Sequence, residues 1–492
     1  MSNPSTRDYR AGFAQLLALG LTFALLLATA AAHAGAIAEA PLVTVVEALV
    51  QDARRANLEL AIAGASAEER LAALDAARAR YLPVLALDAR YSAADGGRTI
   101  DFPVGDLLNP VYATLNQLTG VSRFPAVPNQ TVHLLRSREQ DTHLTLTQPL
   151  YDARIAAGRD AASAGLAGTQ AAREALGGRI DRDMRSAYYR WLEAGARRGI
   201  LEATRDLAQA NLRANQSLYA NGKVTPDLVY RAEADLLEVQ QTLLGTRNAE
   251  RLAQSYANLI RNAPFDSPLP CPPVADTDIT TARDALMQRL GTGTLTLPAL
   301  TATAISRRAE LQQLDAASAV ATAGERLARA AFKPQLALSV DAGTQGERYA
   351  FGSEGRYVLA SLVLRFNLFD GGADEAGLAA ARAVGRAAHS QRTLAEQHIR
   401  LQVEQALDGV EVAVASLDTA ARRVDAAHGA FRIAERKRDL GQINQAEFID
   451  ARRGLTEAEL NRNLTRYSAF DALAQLEYAL GSRRGQIPES QP

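Results

Sequence analysis

The chain has 492 residues, and its 54 Lys plus Arg against 55 Asp plus Glu give a formal net charge of −1 at pH 7. That balance leaves no field to gather a polyanion, which excludes nucleic-acid binding by bulk charge. Hydrophobic residues make up 47% but aromatics only 5%, so the apolar content is mostly alanine and aliphatic and suits closely packed helices.

The single cysteine, Cys271, excludes an intramolecular disulfide and a multi-cysteine zinc site, and its Pro-Leu-Pro-Cys-Pro-Pro setting reads as a linker. The histidines at 33, 133, 143, 389, 398 and 428 include no pair at i, i+4 spacing, and no HExxH occurs. Gly222-Lys223 lacks the preceding glycine and following hydroxyl residue of a phosphate-binding loop, and no GxSxG nucleophile elbow is present. The sequence therefore offers no catalytic residue, no metal site and no cofactor site, and no enzyme is expected.

In chain order, Arg7 and Arg10 precede an apolar stretch from Phe13 to about Ala32, which ends in the small-x-small sequence Ala32-His33-Ala34. Residues 1–34 are expected to be a cleaved secretory signal. No cysteine follows the run, so no lipidated N-terminus is expected. Beyond residue 34 no stretch approaches the roughly 20 apolar residues of a spanning helix, so any further membrane crossing is by strands.

The rest of the chain is written twice. Tyr81-Leu-Pro-Val-Leu-Ala-Leu87 recurs as Phe332-Lys-Pro-Gln-Leu-Ala-Leu338, and Leu144-Thr-Leu-Thr-Gln-Pro-Leu-Tyr-Asp152 recurs as Leu362-Val-Leu-Arg-Phe-Asn-Leu-Phe-Asp370. Asn221-Gly-Lys-Val224 then matches Leu440-Gly-Gln-Ile443. The order of the three landmarks predicts a tandem repeat, 35–262 and 297–481, joined by a linker at 263–296 and followed by a tail at 482–492.

Each repeat opens with a helical stretch, 41 to about 80 and 297–331, closed by a proline that biases the residue before it out of the helical region. Strands follow. Leu336, Leu338, Val340 and Ala342 alternate with Gln335, Ala337, Ser339 and Asp341, and Leu362, Leu364 and Phe366 continue the pattern in the next strand. Such alternation fits a half-buried soluble sheet or a transmembrane barrel strand. Between the first pair of strands lies a long loop, 92–141, with a short helix-like segment at 105–116.

From 152 to about 219 and from 371 to about 439 no strong breaker interrupts the chain, which predicts helices of roughly 100 Å at 1.5 Å per residue. Val403, Leu407, Val410, Val414, Leu417, Ala421, Val424, His428 and Phe431 hold 4,3 spacing, a coiled-coil seam in which His428 is expected to be packed. Gly222 and Gly441 end these helices, with Val224 and Ile443 closing the caps. Thr225 or Asn444 then caps a second helix, 226 to about 262 or 445–480. Pro226 stands at the first position of one, and Glu447 completes a capping box in the other. The four strands of one chain are too few for a closed membrane barrel, which starts at eight, so the chain is expected to oligomerise. Two copies give a filled eight-stranded barrel and three a wider twelve-stranded one.

With its signal, tandem repeat, strand-to-helix junctions and glycine tips, the sequence resembles the TolC family of outer-membrane efflux proteins over about 41–481. The resemblance implies a mainly α fold with a transmembrane β-barrel: a homotrimer whose twelve-stranded barrel sits in outer-membrane lipid of a Gram-negative bacterium and is continued by a periplasmic α-helical barrel. It implies the passive exit duct of a tripartite efflux or type I secretion system, served by a periplasmic adaptor and an inner-membrane transporter of ABC, RND or MFS type. The missing lipidation cysteine tilts towards the type I secretion branch. By position, Gly222, Lys223, Val224, Gly441, Gln442 and Ile443 fall at the tips that meet the adaptor. Glu447 and Asp450 match acidic positions of the periplasmic constriction, and Asp227 is a further candidate there. Glu447 and Asp227 read equally as first-turn acids that stabilise their own helices. Arg438 and the apolar Ile443 depart from the polar latches of some members. Two rival readings are a trimeric surface adhesin and a periplasmic coiled-coil scaffold.

Overall fold

The computed structural model describes residues 41–290, 296–348 and 355–481; the expected signal at 1–34 and the tail at 482–492 lie outside the described residues. The stretch expected as one helix from 41 to about 80 is two, α1 (Leu42–Ala56) and α2 (Leu58–Ala79). Asn57 parts them with extended backbone, φ −64° and ψ 126°. Its Oδ1 accepts from the Leu60 N–H at 3.2 Å, which caps α2, while its Nδ2 donates to the Ile260 carbonyl at 3.0 Å. The break is thus enforced by a partner 203 residues away.

Strand β1 (Val84–Ala93) leads into the long loop, which holds more than the short helix expected there: β2 (Thr99–Phe102), α3 (Val104–Thr119) and β3 (Gln130–His133). β2 and β3 pair antiparallel. Asparagines stitch the intervening chain onto α3. Asn109 exchanges two bonds with the Val127 backbone at 2.9 and 2.8 Å, and Asn116 two with Phe124 at 2.7 and 2.9 Å. A carboxamide offers one acceptor and a donor side by side, so each asparagine pairs with the chain as a peptide unit would.

β4 (Arg138–Tyr151) returns from the loop into α4 (Ala153–Ala220), a helix of 68 residues, and α5 (Pro226–Ile260) follows. The linker contains α6 (Thr277–Leu290), which the Pro and Thr content of 263–296 had hidden, while residues 291–295 lie outside the described residues. The second helical stretch is also broken, into α7 (Leu297–Arg307) and α8 (Ala309–Arg329), by Arg308 at φ −65° and ψ 120°. A 3₁₀ turn at Ala330–Phe332 leads to β5 (Gln335–Gly346) and β6 (Arg356–Arg365). The 67-residue α9 (Ala373–Asp439) and then α10 (Gln445–Ala479) complete the repeat. At about 1.5 Å per residue, α4 and α9 each reach roughly 100 Å.

The chain forms two compact units, Arg70–Gly165 with Ser318–Ala387, and the remainder. The remainder is helical. Its core joins Val45 and Val50 of α1, Met184 and Tyr188 of α4, Val403 of α9 and Phe470 and Leu476 of α10, all essentially inaccessible, with Ile279 and Leu286 of α6. Each such side chain contributes about 1.5–3 kcal/mol by leaving water. The Tyr188 hydroxyl donates to the Pro270 carbonyl at 2.7 Å, and burial pushes its ionisation up. Arg54 grips Asp181 through two bonds of 2.6 and 2.8 Å; burial lifts the Asp181 carboxyl above the usual range, with the Arg54 bonds pulling the other way. Asp276, beside α6, accepts from Arg462 at 2.6 Å and Arg466 at 2.5 Å, both on α10.

Along α9 the expected seam holds from Val403 to Val424 and again at Phe431. His428 alone departs from it: it is exposed, contrary to expectation, while Ala427 beside it turns inward.

The other unit carries one antiparallel sheet in the order β1-β4-β5-β6. The two repeats meet at its centre, where Leu146 of β4 opposes Val340 of β5. Register places Leu85 and Leu87 of β1, Leu144 and Leu146 of β4, Leu336, Leu338 and Val340 of β5 and Leu362 and Leu364 of β6 on one face. The opposite face is more polar and is cross-linked by side chains: Thr145 donates to Asp341 at 2.6 Å, and Asp141 accepts from the Tyr357 hydroxyl at 3.2 Å and contacts His143 at 3.1 Å. β1 and β6 are edges, with no further strand beside them among the described residues. No helix among the described residues is long and apolar enough to cross a membrane.

Candidate functional site

The two helix hairpins end in the same turn, built from the same physics. Gly222 and Gly441 adopt φ of 65° and 69°, where only glycine is unstrained. The Gly222 N–H donates to the Tyr219 carbonyl and the Lys223 N–H to the Leu218 carbonyl, both at 2.9 Å. Gly441 and Gln442 repeat the pattern onto Arg438 and Lys437 at 2.9 and 2.8 Å. These paired bonds are Schellman caps, which satisfy the last carbonyls of α4 and α9. Val224 and Ile443, the residues expected to close the caps, are half-buried, whereas Lys223 and Gln442 are exposed.

The helices that leave the tips start differently. Asn444 accepts from the Glu447 N–H at 2.9 Å, and its Nδ2 donates to Glu447 Oε1 at 2.9 Å, so the carboxylate is held against the first turn of α10. Thr225 makes no side-chain cap; its hydroxyl donates to the Asp227 carboxylate, and Pro226 fills the first helical position. Asp227 also stands 3.9 Å from Arg231 across an exposed surface.

Glu447 and Asp450, three residues apart on α10, are both exposed and lie about 60° apart around the helix, on the side away from buried Phe448, Ile449 and Arg452. Asp450 has no ion pair among the described residues. Among the described residues no hydrogen bond or ion pair joins Asp227 to Glu447 or Asp450; within one chain the three acids are not brought together. Phe448 anchors this end, tilted 5.7 Å from Phe431 and covered by the Arg438 guanidinium at 4.3 Å. Arg438, where a polar latch was not transferable, thus holds α9 to α10 through a ring face.

Behind the tips lies a contact that the sequence reading missed. Arg452 of α10 donates to Asp235 of α5 at 2.7 Å, with both side chains 3% exposed, and Arg453 bridges Asp235 at 3.5 Å and Glu238 at 2.6 Å. Asp235 Oδ2 and Arg452 Nε find no hydrogen-bond partner. The signal was present in the pattern: Asp235 interrupts the inward stripe Ala232, Leu236, Val239, Leu243, and Arg452 the stripe Phe448, Ile449, Leu455. Opposite charges in two apolar stripes are candidates to meet. Further along α10, Glu459 is pushed above the ordinary carboxylate range by burial, against a smaller downward pull from His428.

The family profile described as outer membrane efflux protein matches residues 49–261 and 300–482, most of both repeats. The chain belongs to the outer membrane efflux protein family. As an outer membrane efflux protein it is a channel of the outer membrane and not an enzyme. Sequence comparison with curated proteins finds no match. The fold agrees with solved outer-membrane channels of low identity. CmeC of Campylobacter jejuni superposes with a TM-score of 0.72 at 14% identity, covering 89% of this chain and 85% of that one. VceC of Vibrio cholerae gives 0.71 at 17%, covering 89% and 96%. The open state of MtrE of Neisseria gonorrhoeae gives 0.67 at 18%, covering 89% of each.

Proposed function

We propose that three copies of this efflux protein form the passive outer-membrane exit of a tripartite efflux or type I secretion system. The supporting observation is the four-stranded sheet with one apolar face, one polar face and two open edges. Closed membrane barrels start at eight strands, and three such sheets supply twelve, enough to leave a polar interior open. The helices of three copies complete a periplasmic helical barrel. Substrate is delivered by an inner-membrane transporter of ABC, RND or MFS type, and a periplasmic adaptor docks on the tips through Gly222, Lys223, Val224, Gly441, Gln442 and Ile443.

In the trimer, Glu447 and Asp450 of each chain, with Asp227 behind them, line the constriction. Six carboxylates from Glu447 and Asp450 around a narrow ring attract cations and repel anions. Planar-bilayer recording on the purified protein tests the reading. Cation-selective channels whose selectivity and divalent-cation block fall in Glu447→Ala with Asp450→Ala are expected. Unchanged selectivity would remove the acids from the constriction, and absence of any conductance would favour a surface adhesin or a periplasmic scaffold.

A further inference from the structure

We propose that the loop end of the sheet's apolar face seats the phosphate groups of lipids in the outer leaflet, through Arg138 and Arg356. This rests on the membrane reading above. The observation is a segregation of charge between the two faces. The acids of the sheet strands, Asp88, Glu139, Asp141 and Asp341, all fall on the polar face by register. The apolar face carries two charges only, Arg138 and Arg356, each the first residue of its strand.

Both arginines stand at the end of the sheet that bears the loops 94–137 and 347–355, and both are exposed. Neither has an ion pair or side-chain hydrogen bond among the described residues. Arg138 projects away from the acids beside it in sequence, because residues alternate between faces along a strand and Glu139 and Asp141 lie on the opposite one. The other end of the apolar face, around Leu336 and Leu364, has no basic residue, so the two ends differ in the lipid chemistry they suit.

An arginine on the lipid-facing side of a barrel strand is costly at the bilayer midplane and close to neutral near the interface. Strand ends are therefore where such residues are tolerated. What makes them favourable is an anion: guanidinium presents a planar fork that matches phosphate oxygens, and an adjacent low-dielectric slab strengthens the pair. β5 lies between β4 and β6, and register sets Arg356 opposite Thr344 and, through it, Thr142, four residues along β4 from Arg138, so the two arginines are roughly 17 Å apart. That spacing suits phosphates at the two sides of a large headgroup, or those of two neighbouring lipids.

The test titrates the purified full chain in neutral detergent with bis-phosphorylated lipid A and with its phosphate-free form, counting bound lipid by native mass spectrometry. The expected result is retention of the phosphorylated probe over the phosphate-free one, with about a tenfold loss of its affinity for each charge-assisted contact removed in Arg138→Gln with Arg356→Gln. The same variant is to keep wild-type channel conductance, which shows that it folds, and Arg138→Lys with Arg356→Lys is to retain the preference for phosphate. Equal binding of the two probes by the unsubstituted protein, or unchanged binding in the glutamine variant, overturns the proposal and leaves the channel standing. A chain that stays in solution without detergent overturns the membrane reading itself.

Discussion

Asn57 and Arg308 occupy the same place in the two repeats and close the same gap with different chemistry. Each sits between two short helices, in extended backbone, and each reaches the end of the last helix of its own repeat. Asn57 donates to the Ile260 carbonyl, and Arg308 to the carbonyls of Tyr478 and Ala479 at 3.2 Å each. Arg308 is also held by Glu310 at 2.9 and 3.0 Å and lies 4.7 Å from the Tyr478 ring centroid. Removing a buried paired cation costs about 3–5 kcal/mol, whereas losing a cap costs about 0.5–2. Arg308→Ala is therefore expected to lower the thermal midpoint, followed by circular dichroism, well below Asn57→Ala. The reverse ranking would show that the two breaks are not held by these bonds.

The buried Arg452–Asp235 pair is half satisfied, and that sets the sign of two experiments. Arg452→Ala leaves buried Asp235 with only the longer contact of 3.5 Å to Arg453 and is expected to destabilise by up to about 3–5 kcal/mol. The double change Asp235→Leu with Arg452→Met removes both charges and is expected to fall within about 1 kcal/mol of the parent or above it. Urea unfolding of both variants checks this. A double variant as unstable as the single one would mean that packing, and not the isolated charge, governs the contact.

At the tips the cost of change is in the backbone alone. A methyl group added at Gly222 or Gly441 meets nothing within 4 Å, so Gly222→Ala and Gly441→Ala pay only for a positive φ, about 1–2 kcal/mol each. The variants are expected to fold and conduct but to lose site-specific crosslinking to an adaptor and efflux in cells. Full efflux with both tips altered would remove the tips from the docking surface.

Attachment of α6 is expected to depend on acid. Burial raises the Asp276 carboxyl, but hydrogen bonds from Arg466 and Arg462 outweigh it and hold the group below the usual carboxylate range. A folded-state value below the unfolded one, about 3.9, means that the contribution is complete above that pH and fades as pH falls through the folded value. The protection factor of α6, exchange measured relative to the intrinsic rate at each pH, is expected to fall below about pH 4, and Asp276→Asn to make it low and flat at higher pH. A pH-independent protection factor in the parent chain would exclude this tether.

Much of the fold was legible because its causes are local. The glycines at 222 and 441 announce the tips, uninterrupted Ala-rich stretches announce α4 and α9, and Leu336 to Ala342 announce β5. The breaks at Asn57 and Arg308 were not legible, since neither residue disfavours a helix strongly and each acts through a carbonyl on another element. Helix α6 was hidden by a composition typical of a linker, and its hold is tertiary, through Asp276. At the candidate site the acids Glu447, Asp450 and Asp227 could be named from position. The ring proposed for them would depend on other copies, and the Arg452–Asp235 contact depends on two helices from different repeats.

The open margins of the sheet shape how the protein must be made. A solitary chain presents backbone N–H and C=O groups along β1 and β6, about ten residues each, and any extended peptide can bond to them. In the proposed trimer the surface that recognises a sister chain is thus main chain, which no side-chain substitution can erase, and each edge strand is as adhesive towards strangers as towards kin. Assembly competes with misassociation from the moment the strands form, and local chain concentration decides which wins.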